Sequence, residues 1–299
     1  MGCALSKLFG GSRHEQLSDG DAEEAPKVYS WEKRDKMDVK NFMVDGEKDE
    51  VVGRMPGSIN GQQFIIQNCE NCDIYVFDHC ATVTVDDCIN CRIYLAAIKT
   101  SIFVRDSSDC VIATCCQQFR TRDCKKLECW LSCVTQPIIE ATTGIKFGCL
   151  QIHYPQLRQQ LNDAGISVFN NNWSSIHDFT PVPGENNYGL MSQDIQLTSR
   201  LPFPSKEPFN SIELSIAPEK SEIPLTLGVK QRPLGHRCLV AIYPCENQRA
   251  LADQALSTLS SLSLVQTLEV KLSESQAKNI FSSESHVTKV RFYIRLELE

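Results

Sequence analysis

Short runs of alternating apolar and polar residues recur through the middle of the chain. Val83-Thr84-Val85 aligns with Ile102-Phe103-Val104, then Phe119-Arg120-Thr121, then Ile138-Ile139-Glu140, at steps of 19, 17 and 19 residues. A period of two sends successive side chains to opposite faces of a strand. Val83, Val85, Ile102, Val104, Phe119 and Thr121 then point inward. Thr84, Phe103, Arg120 and Ile139 share one outward column, with Gln118 and Arg122 on the same row as Arg120, and this register turns Glu140 inward.

A second set of runs repeats in step with the first. Cys69-Glu-Asn-Cys72-Asp-Ile-Tyr-Val returns as Cys88-Ile-Asn-Cys91-Arg-Ile-Tyr-Leu, then as Ser107-Ser-Asp-Cys110-Val-Ile-Ala-Thr, then as Cys124-Lys-Lys-Leu127-Glu-Cys-Trp-Leu. Thr142-Thr-Gly-Ile145-Lys-Phe is a weaker fifth copy. A fixed interval of β-rich pieces means stacked coils, each burying its apolar side against its neighbours. The interval is too short for helix pairs and predicts a mainly β chain built on a parallel β-helix.

Beyond the repeats the pattern changes. Pro155-Gln-Leu-Arg-Gln-Gln-Leu161 has the apolar spacing of a short helix, placed to cap the open end of the stack. Residues 183–235 are rich in proline and read as a linker that wraps the domain or stays irregular. Residues 236–299 read as a small α/β module: strand 237–243, helix 247–262 with Leu251, Ala255, Leu259 and Leu262 on one face, strand 264–271, short helix 274–282 and strand 287–298. No motif marks His236 or His286 as a phosphate-accepting nucleophile.

Charge narrows the function. With a net charge of -7, the chain has no basic excess to neutralise phosphates, which argues against nucleic-acid binding. No apolar run is long enough to span a bilayer, and no export signal opens the chain. Membrane attachment is nevertheless expected. Met1-Gly2-Cys3-Ala4-Leu5-Ser6 fits the N-myristoylation pattern at Gly2, with Cys3 beside it as a palmitoylation site. One acyl chain anchors only marginally, and bases are sparse here, so Cys3 is assigned the second signal. The acidic, polar stretch up to residue 30 reads as an acylated, flexible tether, followed by the β-helix domain over 31–182.

The fifteen cysteines belong to a reducing compartment. Cys69-x2-Cys72 and Cys88-x2-Cys91 have the spacing of a four-cysteine zinc site. The equivalent slots in later coils hold Ser107, Cys110, Cys124 and Leu127, however, so these are packing positions and the thiols are expected to stack in ladders. No metal site is assigned.

The outward column is the remaining candidate for chemistry. Arginine flanked by Phe103 and Ile139 on a solvent-facing sheet has the composition of a partner interface, although solvated surface arginines are as common. Here Gln117-Gln118-Phe119-Arg120-Thr121-Arg122-Asp123-Cys124 resembles the signature of the tubulin-binding cofactor C family. Gly53-Arg54-Met55-Pro56-Gly57-Ser58, Thr135-Gln136-Pro137-Ile138-Ile139-Glu140, Phe169-Asn170-Asn171-Asn172-Trp173 and Ile176-His177-Asp178-Phe179 support it. The resemblance implies a right-handed β-helix and a GTPase-activating function. Arg120 would be the catalytic finger, and Gln117, Gln118, Glu140 and Phe179 would orient it or touch the partner. That role wants Glu140 outside, against the register above, and a bend at Pro137 would reconcile the two. The partner implied is an Arf-like small GTPase in its GTP-bound state, which brings its own Mg and GTP, with tubulin as a further partner. The place implied is the cytoplasmic face of the plasma membrane, the cilium base and Golgi-associated vesicles, where lipidated cargo is handled. The C-terminal segment resembles the start of a ferredoxin-like, nucleoside diphosphate kinase-like module, shortened. A non-catalytic scaffold is the alternative; a polysaccharide-cleaving β-helix ranks last, since acidic clusters and an export signal are missing.

Overall fold

The computed structural model describes residues 39–192, 194–228, 238–242, 245–270, 273, 275 and 293–298. The acylation signal at Gly2 and Cys3, the tether, His236, His286 and, Ser275 apart, the helix expected over 274–282 lie outside the described residues.

The repeats form a parallel β-helix with two main strand-bearing faces. One face stacks β1 (Met43–Asp45), β3 (Phe64–Gln67), β5 (Val83–Asp86), the second half of β6 (Arg92–Arg105), the second half of β7 (Val111–Arg122), β9 (Ile138–Glu140) and β11 (His177–Asp178). The other stacks β2 (Val51–Arg54), β4 (Asp73–Val76), the first halves of β6 and β7, β8 (Glu128–Cys133), β10 (Ile145–Cys149) and β12 (Tyr188–Leu190). β12 falls in the stretch read from sequence as linker.

Corners are turned by residues in the left-handed region. Asn68, Asp87, Asp106, Asp123 and Ala141 precede one series of inward slots; Asn71, Asn90, Asp109, Lys126 and Gly144 precede the other. Asn, Asp and Gly tolerate positive φ best, which is why they recur at these steps.

The two faces differ in what covers them. Between the sheets lies a core of Phe64, Ile66, Val83, Val85, Ile102, Val104, Phe119, Ile139 and the inward cysteines. The β2–β12 face is also buried outside: Tyr75, Tyr94, Ala113, Trp130 and Leu150 pack against α1 (Leu157–Ala164) and the following chain. Its strands consequently read as near-continuous apolar runs, while those of the other face alternate, as for a sheet with one solvated side. Helix α1 packs on the side of the stack against β6, with Gln160 Nε2 donating to Phe77 O at 2.7 Å. It does not lie over the end of the stack, because its buried stripe of Leu157, Gln160, Leu161 and Ala164 matches the aromatic side wall.

The proline-rich segment wraps the same wall. His153 and Ser215 exchange backbone hydrogen bonds of 2.7 and 2.9 Å, and Glu222 N donates to Ile152 O at 3.2 Å. The buried Glu222 carboxylate meets Arg158 at 2.8 Å and His153 at 3.2 Å. Further on, β13 (Cys238–Ile242), β15 (Tyr293–Leu298) and β14 (Leu264–Val270) form an antiparallel sheet in that order, with α2 (Gln248–Thr258) between β13 and β14 in sequence. The packed side of α2 carries Ala252, Ala255 and Leu256, followed by Leu259; Leu251 and Leu262, expected on that side, are exposed.

Candidate functional site

The solvated side of the β1–β11 face carries two adjacent columns of side chains. Register pairs Thr84 with Phe103, Phe103 with Arg120, Arg120 with Ile138, and Ile138 with His177. The second column runs Asp86, Arg105, Arg122, Glu140, and Phe179 follows β11 at the next level, its N–H donating to Ile139 O at 2.9 Å. Neighbouring rungs of a sheet stand about 4.8 Å apart, so each column is a close-set row.

Arg120 is exposed, and among the described residues its guanidinium makes no ion pair or hydrogen bond. It lies over the Phe103 ring with Cζ 5.9 Å from the centroid, within cation–π range. The neighbouring arginines are engaged: Arg105 meets Asp86 at 2.7 Å, and Arg122 meets Asp123 at 3.3 Å. Gln118 is half-buried beside the row, its Oε1 accepting from Ser101 Oγ at 3.0 Å. Gln117 sits at the strand's bend, where its carbonyl accepts from Thr135 N at 3.0 Å and Thr135 Oγ1 at 3.1 Å. Phe179 is 60% exposed, its ring meeting His177 edge-on at 4.6 Å.

Arg120, Gln118, Arg122, Phe103 and Phe179 therefore share one face, and Glu140, which the alternation turned inward and the resemblance outward, joins them. Ile139 does not: it is fully buried in the core, opposite Thr121. The expected register was one residue off. The turn before Pro137 shortens the step, so Ile138 faces out beside Arg120 and Glu140 faces out beside Arg122. The signal was present in the sequence, since a carboxylate pointed into an apolar core costs several kcal/mol. Ile138 and His177 were missed for the same reason: their parity depends on the turn.

Cysteine ladders hold the corners under this face. Cys69, Cys88 and Cys124 donate Sγ–H to the carbonyl two residues back at 3.2–3.3 Å, as Ser107 Oγ does at 2.7 Å and Thr142 Oγ1 at 2.9 Å. Cys72, Cys91 and Cys110 do the same in the parallel ladder at 3.2–3.4 Å. The thiols are thus distributed along two lines; among the described residues no group of three or more His, Cys, Asp or Glu is placed to hold a metal ion. Burial pushes the Cys80 thiol up to about 12 and Cys124 to about 11.

At the head of the stack, Arg54 gathers the carbonyls of Lys40, Asn41, Met43 and Gly53 at 2.7–2.8 Å and lies over the Phe64 ring. Its role is to fasten the first rung. Trp173 and Asn171 act similarly lower down: Trp173 Nε1 donates to Thr226 Oγ1 at 2.9 Å and Asn171 Oδ1 accepts from Cys133 N at 3.0 Å.

Comparison with known proteins gives consistent relatives. The family model described as Tubulin binding cofactor C matches residues 61–179. Protein XRP2 of Mus musculus is 46% identical over 289 residues, spanning 95% of this chain and 81% of its own. Protein XRP2 of Danio rerio is 48% identical over 274 residues, 90% of this chain and 72% of its own. Tubulin-specific chaperone C of Bos taurus is 27% identical over 132 residues, 44% of this chain and 38% of its own. Among solved structures, Tubulin Binding Cofactor C from Leishmania major aligns with a TM-score of 0.35 and 19% identity over 50% of this chain and 92% of that one.

Proposed function

The chain belongs to the family of Protein XRP2 and carries a tubulin binding cofactor C domain, and from that premise we propose that it activates a small GTPase of the Arf-like class by supplying Arg120 in trans. The observation that carries this reading is Arg120 itself, held on a stiff sheet and exposed, with no ionic partner among the described residues. In GTP hydrolysis, negative charge builds on the γ-phosphoryl and bridging oxygens, and a planar, permanently charged guanidinium can contact both. A rigid rung presents it with little ordering cost. The chain contains no Gly-rich Gly-Lys-Ser/Thr phosphate loop, so nucleotide and Mg would come with the partner. Phe103, Ile138, Arg122, Glu140 and Phe179 surround the arginine as its contact surface, with Gln117 and Gln118 at its base.

The test is single-turnover GTP hydrolysis by a panel of GTP-loaded small GTPases, with and without this protein. An Arf-like member should be accelerated about 10³–10⁵-fold, and Arg120→Ala should abolish that acceleration while still binding. Full acceleration by Arg120→Ala overturns the mechanism. Binding without acceleration by the wild type favours the scaffold reading, in which the face docks the GTPase, or tubulin as the name of the more distant relative suggests.

Acylation at Gly2 and Cys3 would hold the protein at the cytoplasmic face of the plasma membrane and, as in the family expectation, at the cilium base and Golgi vesicles. Gly2→Ala should then move it to the soluble fraction of cells, and retention on membranes rejects the anchor. The sheet order β13–β15–β14, with β15 antiparallel to both neighbours, supports reading the C-terminal segment as the first half of a ferredoxin-like module.

A further inference from the structure

The last rung of the active face is closed by a side chain. At each earlier corner, the residue with positive φ donates its N–H to a backbone carbonyl of the next coil: Asn68 to Asp86 O, Asp87 to Arg105 O, Asp106 to Arg122 O and Asp123 to Glu140 O, at 3.1–3.3 Å. The next acceptor in the series is the Phe179 carbonyl. Ala141 N instead donates to Thr180 Oγ1 at 2.7 Å. The chain turns away at Pro181, and the hydroxyl takes the carbonyl's place.

The residue that carries the hydroxyl is itself held at its backbone. Asp178 Oδ1 accepts from Thr180 N at 2.9 Å, and Asp178 Oδ2 accepts from Asn187 Nδ2 at 2.8 Å. Asn187 is buried; its Nδ2 also donates to Thr180 O at 3.1 Å, and its carbonyl accepts from Ile145 N at 3.1 Å. The network therefore ties the terminal rung to the adjoining β10 level.

The rung needs this support. β11 has only two residues and pairs on one side with β9, itself three residues long. Ala141, unlike the Asn and Asp at earlier corners, holds φ at 44° without a side chain suited to that region. Glu140 precedes it directly, and Phe179 lies between Asp178 and Thr180. The hydroxyl thus joins the two residues that directly follow the contact residues, Ala141 after Glu140 and Thr180 after Phe179.

We propose that Thr180, seated by Asp178, is a positioning residue for the partner surface: it sets Glu140 and Phe179 relative to Arg120 without touching the partner's nucleotide. This rests on the GTPase-activating reading above. Hydrolysis is accelerated through Arg120, whose rung has neighbours on both sides, so loss of the clasp weakens docking and leaves the chemical step intact.

The experiment titrates full-length Thr180→Val and Thr180→Ser against the GTP-loaded GTPase that the wild type accelerates most, under single-turnover conditions. Thr180→Val removes the hydroxyl at nearly constant shape. Its half-saturating concentration should rise about tenfold, the loss expected for one such hydrogen bond in a contact rung, with the plateau rate within about twofold of wild type. Thr180→Ser should titrate like wild type. Amide exchange, read without any GTPase, should speed up at residues 139–141 in Thr180→Val and stay unchanged at 119–122. Wild-type titration by a folded Thr180→Val, a plateau that falls with its affinity, or unchanged exchange at 139–141 overturns the clasp. A wild type that accelerates no GTPase overturns the functional reading, and the exchange result still decides whether the hydroxyl locks the rung.

Discussion

Arg120 and Arg105 occupy outward positions on neighbouring strands, yet only Arg105 is tied down, by Asp86 at 2.7 Å. The difference lies in the columns: Arg120's neighbours are Phe103 and Ile138, which offer surface and no counter-charge. A partner's phosphate could therefore meet a guanidinium already oriented over an aromatic ring. Arg120→Lys should lose most of the acceleration, roughly two orders of magnitude or more out of the 10³–10⁵ an arginine finger supplies, because an ammonium cannot span two oxygens with fixed geometry; the single-turnover rate reads it. Parity along β9 gives a second residue-scale contrast. Ile139→Ala empties part of the core and should cost about 2–5 kcal/mol in urea unfolding. Ile138→Ala should stay within about 1 kcal/mol of wild type while weakening GTPase binding. The opposite order of stabilities would return the register to the one the alternation first suggested.

At the scale of elements, the corners explain why cysteine is so common here. The slot at 69, 88, 107, 124 and 142 holds Cys, Cys, Ser, Cys and Thr, and each donates to the carbonyl two residues back. Small size and one donor are what the slot asks for. Cys88→Thr should therefore be tolerated, whereas isosteric Cys88→Val leaves Asp86 O without that donor and should be less stable than Cys88→Thr by about 1 kcal/mol, measured by chemical denaturation. Equal stability of the two would show that the ladder is packing alone. The repeat alone makes these slots legible. It did not reveal the exchange of a carbonyl for the Thr180 hydroxyl, because that depends on where the chain leaves the stack.

At the scale of the whole molecule, the decisive asymmetry is that one face of the β-helix is covered by α1 and the wrapping segment while the other is open among the described residues. The buried thiols set an alkaline limit. Burial holds Cys80 at about 12 and Cys124 at about 11 against an ordinary 9.0, so the folded protein keeps protons that the unfolded chain has released. Stability should thus be intact below about pH 9 and decline from there toward about pH 12; urea midpoints at about pH 8 and about pH 10.5 check the sign, and a midpoint that rises would contradict it. The sequence by itself determined the coil period, the ladder slots and the outward place of Arg120, because stacking forces equivalent residues into register and alternation sets their face. Tertiary structure alone decided the parity after Pro137, the side on which α1 packs, and the arrival of His177 and Phe179 beside a strand far away in sequence. Those depend on turn length and on how the chain returns, and a side-chain alternation of two cannot count residues in a turn.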